Sequence, residues 1–230
     1  MTDRPAGVIV AVDGPAASGK SSTARAVAAV LGYRHLDSGA FYRALTLAAL
    51  ERGIPPERWP ALSWQDLDDL AVDAIPIEGS FVVRIGGAQV GDRIRSTAVD
   101  ANVSTMAAVP AVREWLMGAL REAGRDGRLV ADGRDIGTAV FPDAELKIFL
   151  VCEPEERARR RLREQREGVP SAAEIAAEAR RLIERDRLDQ SRQWAPLVRA
   201  ADAVLLDTTH LAFDDQVESI ARLARRAASG

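Results

Sequence analysis

Lysine is almost missing from this chain. Of its 31 basic residues only Lys20 and Lys147 are lysines, and the rest are arginines. Cysteine is scarcer still. Cys152 stands alone, which excludes an internal disulfide, suits a reducing compartment and reads as a buried core residue. Two histidines, His35 and His210, are too few for most metal sites. Aromatic residues make up 5%, so the core must be mostly Ala, Val and Leu. After the polar residues 1–7, the first apolar run (residues 8–12) is too short for a secretion signal, and no later run is long enough to span a membrane. The expected location is the cytoplasm, with no membrane partner. A net charge of −3 argues against a general nucleic-acid binder, whose domain is usually basic. What is present suffices for a folded core: 230 residues, 47% of them hydrophobic, fit one sizeable domain with a small insertion.

Gly14-Pro15-Ala16-Ala17-Ser18-Gly19-Lys20-Ser21 fits the phosphate-loop pattern G-x-x-x-x-G-K-[ST]. The run 8–12 before it reads as a short buried strand, and residues 22–31 after it as a helix closed by Gly32. In that context the glycines let backbone N–H groups turn inward around phosphate oxygens, and the helix N-terminus adds its positive end. Lys20 reaches the β- and γ-phosphates, and the Ser21 hydroxyl holds Mg²⁺. The rival reading is a plain glycine turn with a surface lysine. Against it, a chain that uses arginine nearly everywhere has a lysine here, where a compact ammonium fits between phosphates and a planar guanidinium does not. The motif points to nucleotide binding, without saying what is done with the nucleotide.

Further along, residues 33–37 read as a second strand. Ser38 is the expected N-cap of a helix that Gly53 and Pro55-Pro56 stop. Arg43 falls in its first turn, an unfavourable place for a cation unless an anion is near. Residues 61–97 differ in character. A short capped helix (63–70) and a hairpin (81–85 with 88–90, turning at Gly86-Gly87) suggest a subdomain inserted between 1–60 and 98–230. A helix follows with Val112, Trp115, Leu116 and Leu120 as core. The strand 129–131 runs into Asp132-Gly133-Arg134-Asp135, and open α/β sheets place ligands at such carboxyl ends. A turn salt bridge is the bland reading of Arg134 and Asp135. After a strand at 145–151 comes a strongly charged helix. Its Glu155/Arg159 and Glu156/Arg160 spacings suit a solvated face, while Arg157, Arg160 and Arg161 on one face suit phosphates. A lid over about residues 155–170, hinged at Gly168-Val169-Pro170, combines the two. Arg185, Asp189 and Arg192, at i, i+4, i+7, share a helix face. Residues 203–207 are the last strand, and residues 213–226 the last helix.

Together these stretches resemble the bacterial cytidylate kinases, a family of nucleoside-monophosphate kinases. The resemblance rests on residues 13–22, 36–43, 102–114, 132–148, 155–161 and 185–197, nearly end to end. Ala131-Asp132-Gly133-Arg134-Asp135-Ile136-Gly137-Thr138 is especially characteristic. It implies an α/β P-loop nucleotide kinase: a five-stranded parallel sheet wrapped by helices, an inserted monophosphate-binding subdomain with a small β-sheet, and a lid. It also implies transfer of the ATP γ-phosphoryl group to CMP or dCMP with Mg²⁺. Carried over residue by residue, Gly14 through Ser22 (with Pro15, Ala16, Ala17, Ser18, Gly19, Lys20 and Ser21 between) hold the ATP phosphates. Ser104, Arg113 and Asp135 read cytosine. Ser38 and Tyr42 line the acceptor site, and Arg43 and Arg134 clamp its α-phosphate. Asp189 takes the ribose hydroxyls, with Arg185 and Arg192 near the transferring group. Arg157 and Arg161 are lid arginines. Lys20, Arg134, Arg157, Arg161, Arg185 and Arg192 make up the implied catalytic set, and Ser21 the Mg²⁺ ligand with Asp132 behind it. Leu188 and Gln190 depart from the family's usual pattern, which weakens only a phosphate role for those two positions.

An acceptor that is itself a phosphate, with a second pKa near ~6, needs no catalytic base. Phosphate-loop logic alone leaves UMP, AMP or a small acceptor such as shikimate open. It also leaves a nucleotide-switched, RNA-associated GTPase, but that class carries an Asn-Lys-x-Asp guanine reader and neither lysine here follows an asparagine. No long apolar surface helix demands a dimer, so a monomer is expected.

Overall fold

Short apolar segments with no polar face are favoured at the covered centre of a parallel sheet. The computed structural model describes residues 7–165 and 168–229. Its elements run β1 (Ile9–Asp13), α1 (Lys20–Leu31), β2 (Arg34–Asp37), α2 (Ser38–Glu51), α3 (Trp64–Asp69), β3 (Val72–Ile77), β4 (Ser80–Ile85), β5 (Ala88–Gln89), α4 (Thr97–Met106), α5 (Pro110–Ala123), β6 (Leu129–Gly133), β7 (Leu146–Val151), α6 (Pro154–Gln165), α7 (Ala172–Gln190), β8 (Val204–Asp207) and α8 (Phe213–Ser229). The strand order is β3-β4-β2-β6-β1-β7-β8. Pairing from β2 through β8 is parallel, as expected for five strands. One face packs on α2, α4 and α5 around Leu36, Leu45, Met106 and Leu116. The other packs on α1 and α8 around Val27, Ile148 and Ile220. Register brings three carboxyl ends level: Asp13 lies opposite Gly133, and Asp37 opposite Asp132. That row of strand ends is the floor on which the site is built.

The inserted region brings a strand that the sequence hides. β3 pairs antiparallel with β4 along its whole length and contains Pro76. Proline has no N–H for a ladder, so it argues against a strand until the strand proves to be the sheet's outer edge. The expected hairpin is present as β4 and β5, and β4 also touches β2 at His35 and Ser80, so this small sheet continues the main one.

Three local expectations need correction. The N-cap of α2 is Asp37, which accepts from the Ala40 N–H at 3.1 Å, and Ser38 is already helical. Trp115 is only partly buried, and its indole N–H donates to Asp68 at 2.7 Å. On α6 the expected Glu156/Arg160 bridge forms at 3.1 Å, but Arg159 pairs with Glu156 as well rather than with Glu155. Residues 1–6, 166–167 and 230, parts of the expected core and lid ranges, lie outside the described residues. Cys152 is buried, as expected of a core thiol.

Candidate active site

A cleft of about 540 Å³ opens at the carboxyl ends of β1, β2 and β6, within the range of small-ligand sites. Among the described residues, ten cationic side chains and six carboxylates line it, a balance that selects anionic ligands. Six helices, α1, α2, α4, α5, α6 and α7, and the loops beside them deliver these groups.

The phosphate loop joins β1 to α1. Gly14, at φ 152°, lies against the next strand: a Cβ there would sit 2.4 Å from the Leu150 carbonyl oxygen. Gly19 adopts the left-handed conformation as the N-cap of α1, at φ 87°, and leaves the first N–H groups of the helix to a ligand. Ala16, Ala17, Gly19, Lys20, Ser21 and Ser22 line the cleft. Gly14, Pro15 and Ser18 lie behind that surface. The Lys20 ammonium donates to the Pro15 carbonyl oxygen at 2.6 Å. Burial, reinforced by Arg134, pulls its pKa from 10.5 down to about 7. Ser18 Oγ is buried with no hydrogen-bond partner among the described residues. An unpaired hydroxyl and a half-discharged ammonium in one loop are both costs that a bound phosphate would relieve.

Opposite the loop, the residues expected to hold an acceptor come together. Ser38, Tyr42, Arg43, Ser104, Arg113, Arg134, Asp135, Arg185, Asp189 and Arg192 all line the cleft. Arg113 of α5 and Asp135 after β6 form a buried ion pair. Burial pushes the Asp135 carboxyl up, against the pull of Arg113, Arg192 and Arg134. Asp189 accepts from Arg134 Nε at 2.9 Å, from Arg192 and, at 3.4 Å, from the Ser104 hydroxyl. Burial acts to raise its pKa, but Arg134, Arg192 and Arg185 outweigh that and hold it low. Tyr42 stacks its ring against Arg113, and burial raises its phenol to about 12, so it stays a neutral donor. Arg43 meets an anion as its helix position hinted, but that anion is the Asp100 carboxylate, at 2.5 Å.

Arg185 is different. It is half-buried, its Nε has no hydrogen-bond partner among the described residues, and burial with Arg134 and Arg43 nearby lowers it to about 10. Arg161 lines the cleft, whereas Arg157 does not. Arg157 is buried and donates to the Ala16 carbonyl oxygen at 2.8 Å and to Asp186 at 2.5 Å. Asp186 in turn accepts from the Ala16 N–H at 2.8 Å. Arg157 and Asp186 therefore fasten the phosphate loop to α6 and α7.

Sequence reasoning missed several supports. Asp13 is buried and takes the N–H groups of Ile136 and Gly137 at 2.8 and 2.7 Å, which hangs the segment after Arg134-Asp135 on the last residue of β1, just before the phosphate loop. Burial raises its pKa to about 6. His35 bonds Asp132 Oδ1 at 2.8 Å, while Ser21 donates to Asp132 Oδ2 at 2.6 Å. The Ser21 and Asp132 oxygens suit a hard cation, but two protein oxygens cannot complete a shell. Among the described residues no group of three or more His, Cys, Asp or Glu is placed to hold a metal. The residues therefore fit Mg²⁺ carried in on nucleotide phosphates, which with water would supply its other ligands.

The same molecule can be set beside known proteins. A family model for cytidylate kinase matches residues 10–226. The chain is 46% identical over 221 residues to a cytidylate kinase of Limosilactobacillus fermentum, with 94% of each chain covered. It is 45% identical over 230 residues to a bifunctional pantoate ligase/cytidylate kinase of Synechococcus sp., covering 98% of this chain and 45% of that one. The chain thus spans about half the length of such two-function relatives. Among solved structures, an uncharacterized protein from Eubacterium ventriosum matches with a TM-score of 0.52 at 11% identity, covering 95% of this chain and 98% of that one, which shows the fold alone. Among the described residues no helix is long and apolar enough to cross a membrane.

Proposed function

The chain belongs to the cytidylate kinase family, and from that premise we propose that it transfers the γ-phosphoryl group of ATP to CMP and dCMP, giving ADP with CDP or dCDP. One observation carries the reading to this chain. The phosphate loop with Lys20 and the buried Arg113–Asp135 pair line the same cleft, so a triphosphate and a polar base can be held together.

In this reading Lys20 and the N–H groups at the start of α1 hold the β- and γ-phosphates, and Arg43 and Arg134 hold the acceptor's α-phosphate. Asp135 accepts from the exocyclic amino group of cytosine, where uracil presents a carbonyl oxygen that a carboxylate repels. Asp189 takes the ribose hydroxyls, and Ser38 and Tyr42 complete the acceptor wall. Arg185, Arg192 and Arg161 surround the transferring group, while Arg157 acts indirectly by fixing Ala16. When bound, Mg²⁺ would supply neutralisation of the β- and γ-oxygens next to Ser21 and Asp132. The acceptor oxygen is already ionised, so no side chain removes a proton. The protein's work is to align two anions and to stabilise charge on the group passing between them. Residues 61–97 serve as the acceptor-side insertion. Residues 155–170 serve as a lid that excludes water and so keeps ATP from simple hydrolysis. One chain supplies every group in this scheme, in keeping with a monomer working in the cytoplasm.

Asp135→Asn tests the base reader. The preference for CMP over UMP should fall about 10- to 150-fold, the worth of one such base contact, while the Kd of Mg·ATP stays the same. The change also disturbs a buried ion pair, which commonly costs about 3–5 kcal/mol, so the kinetics should be read well below the variant's Tm. Equal loss on CMP and UMP would contradict the assignment.

A further inference from the structure

Among the cleft's aspartates, Asp132, Asp135 and Asp189 have places in the mechanism above, and Asp37 caps α2. Asp100, on α4, has none. Its two oxygens are spent on two arginines from different elements. Oδ1 accepts from Arg43 Nη1 of α2 at 2.5 Å, and Oδ2 from Arg161 Nη2 of α6 at 2.8 Å. Arg43 also reaches the Ile94 carbonyl oxygen at 3.2 Å, and Arg161 Nε lies 3.1 Å from Glu178 of α7. The three central side chains are 17%, 23% and 19% exposed, enough for an incoming anion to reach them and enough cover to limit screening. A carboxylate that divides its oxygens between two guanidinium groups does what a phosphate would do there.

We propose that Asp100 is an internal stand-in for the acceptor's phosphate. It neutralises Arg43 and Arg161 and ties α6 to α4, and the phosphate of CMP must draw these arginines away from it. This rests on the kinase reading, which assigns Arg43 to the acceptor phosphate and Arg161 of the lid to the transferring group next to it; because both hold the same carboxylate, a phosphate that takes Arg43 competes for Arg161 as well. Asp135 and Asp189 also neutralise arginines, but each gains hydrogen bonds to the base or sugar when the acceptor binds. Asp100 gains none and is left beside a dianion. Its presence therefore sets acceptor affinity lower than the arginines alone would give. It also keeps the two cations from collecting other anions.

The test is calorimetric titration of CMP into wild type, Asp100→Asn and Asp100→Ser, with melting curves to establish that the variants fold. Cytidine, which has no phosphate, is the control. Both variants should bind CMP about tenfold more tightly than wild type, the worth of two part-exposed ion pairs, and should bind cytidine as wild type does. CMP binding that is unchanged or weaker in the folded variants overturns the proposal and makes Asp100 a scaffold for the arginines. A tightening shared by cytidine overturns it too. Wild type that fails to bind CMP at all overturns the kinase reading instead.

Discussion

Lys20→Ala lowers kcat/KM for phosphoryl transfer by about 10³-fold or more, the upper end of what one positioned charge contributes in a water-poor site. Lys20 is the first residue of α1, so its ammonium and the N–H groups of that helix converge on the same phosphates. Lys20→Arg should not rescue the activity, because the loop closes the ammonium against the Pro15 carbonyl oxygen at 2.6 Å and has no room for a planar fork. The loss should come without a loss of fold. Burial lowers the folded pKa from 10.5 to about 7. Below pH 7 both folded and unfolded chains carry the proton, and the folded one carries a desolvated charge. Between pH 7 and 10.5 the unfolded chain binds more protons, so this group's contribution to stability rises with pH. Melting followed from pH 6 to 9 should therefore show the variant at least as stable as wild type near neutrality, with the gap narrowing as pH rises. A variant that melts far below wild type at every pH would mean that Lys20 is structural.

Arg185→Ala is the second large effect, with kcat reduced about 10³- to 10⁵-fold, as for an arginine at a transferring phosphoryl group. The other cleft arginines that touch the acceptor in this account already have carboxylates: Arg43 has Asp100, Arg113 has Asp135, and Arg134 and Arg192 share Asp189. Arg185 has a buried Nε without a hydrogen-bond partner among the described residues, and burial with like charges around it lowers it to about 10. A cation kept in that setting becomes favourable only when negative charge arrives, and it gains most when that charge is greatest. Steady-state kinetics with CMP should show the loss in kcat with KM changed little. A rise in KM with kcat preserved would place Arg185 in ground-state binding and move the transferring group elsewhere.

What could be read from the sequence was local. The strand, glycine loop and helix around Lys20 declare themselves within about two dozen residues, and Arg185 and Asp189 share a face of α7 as their spacing says; Arg192 lies beyond the helix end at Gln190, so it reaches the cleft and Asp189 from the following loop and not along the expected helix stripe. The Arg134-Asp135 turn was visible as charge at a strand end. The supports were not visible, because each is a lone aspartate whose partner lies far away in the chain. Asp186 meets Ala16 across 170 positions, Asp13 meets Ile136 across 123, and Asp100 meets Arg161 across 61. No spacing rule announces such contacts. The contacts of Arg157 are hidden for the same reason: helix periodicity puts it near Arg160 and Arg161 but cannot say that Asp186 holds it against the loop backbone. β3 was hidden by Pro76, which only an edge position permits. The capping of α2 shows the limit at short range, since Asp37 and Ser38 are both good caps and only tertiary packing chose between them.

The most direct measurement is ADP formation from Mg·ATP with CMP, dCMP, UMP, AMP and GMP supplied one at a time, beside a reaction with no acceptor. The account predicts turnover concentrated on CMP and dCMP, with CDP or dCDP formed mole for mole with ADP. ADP released equally without any acceptor would contradict it.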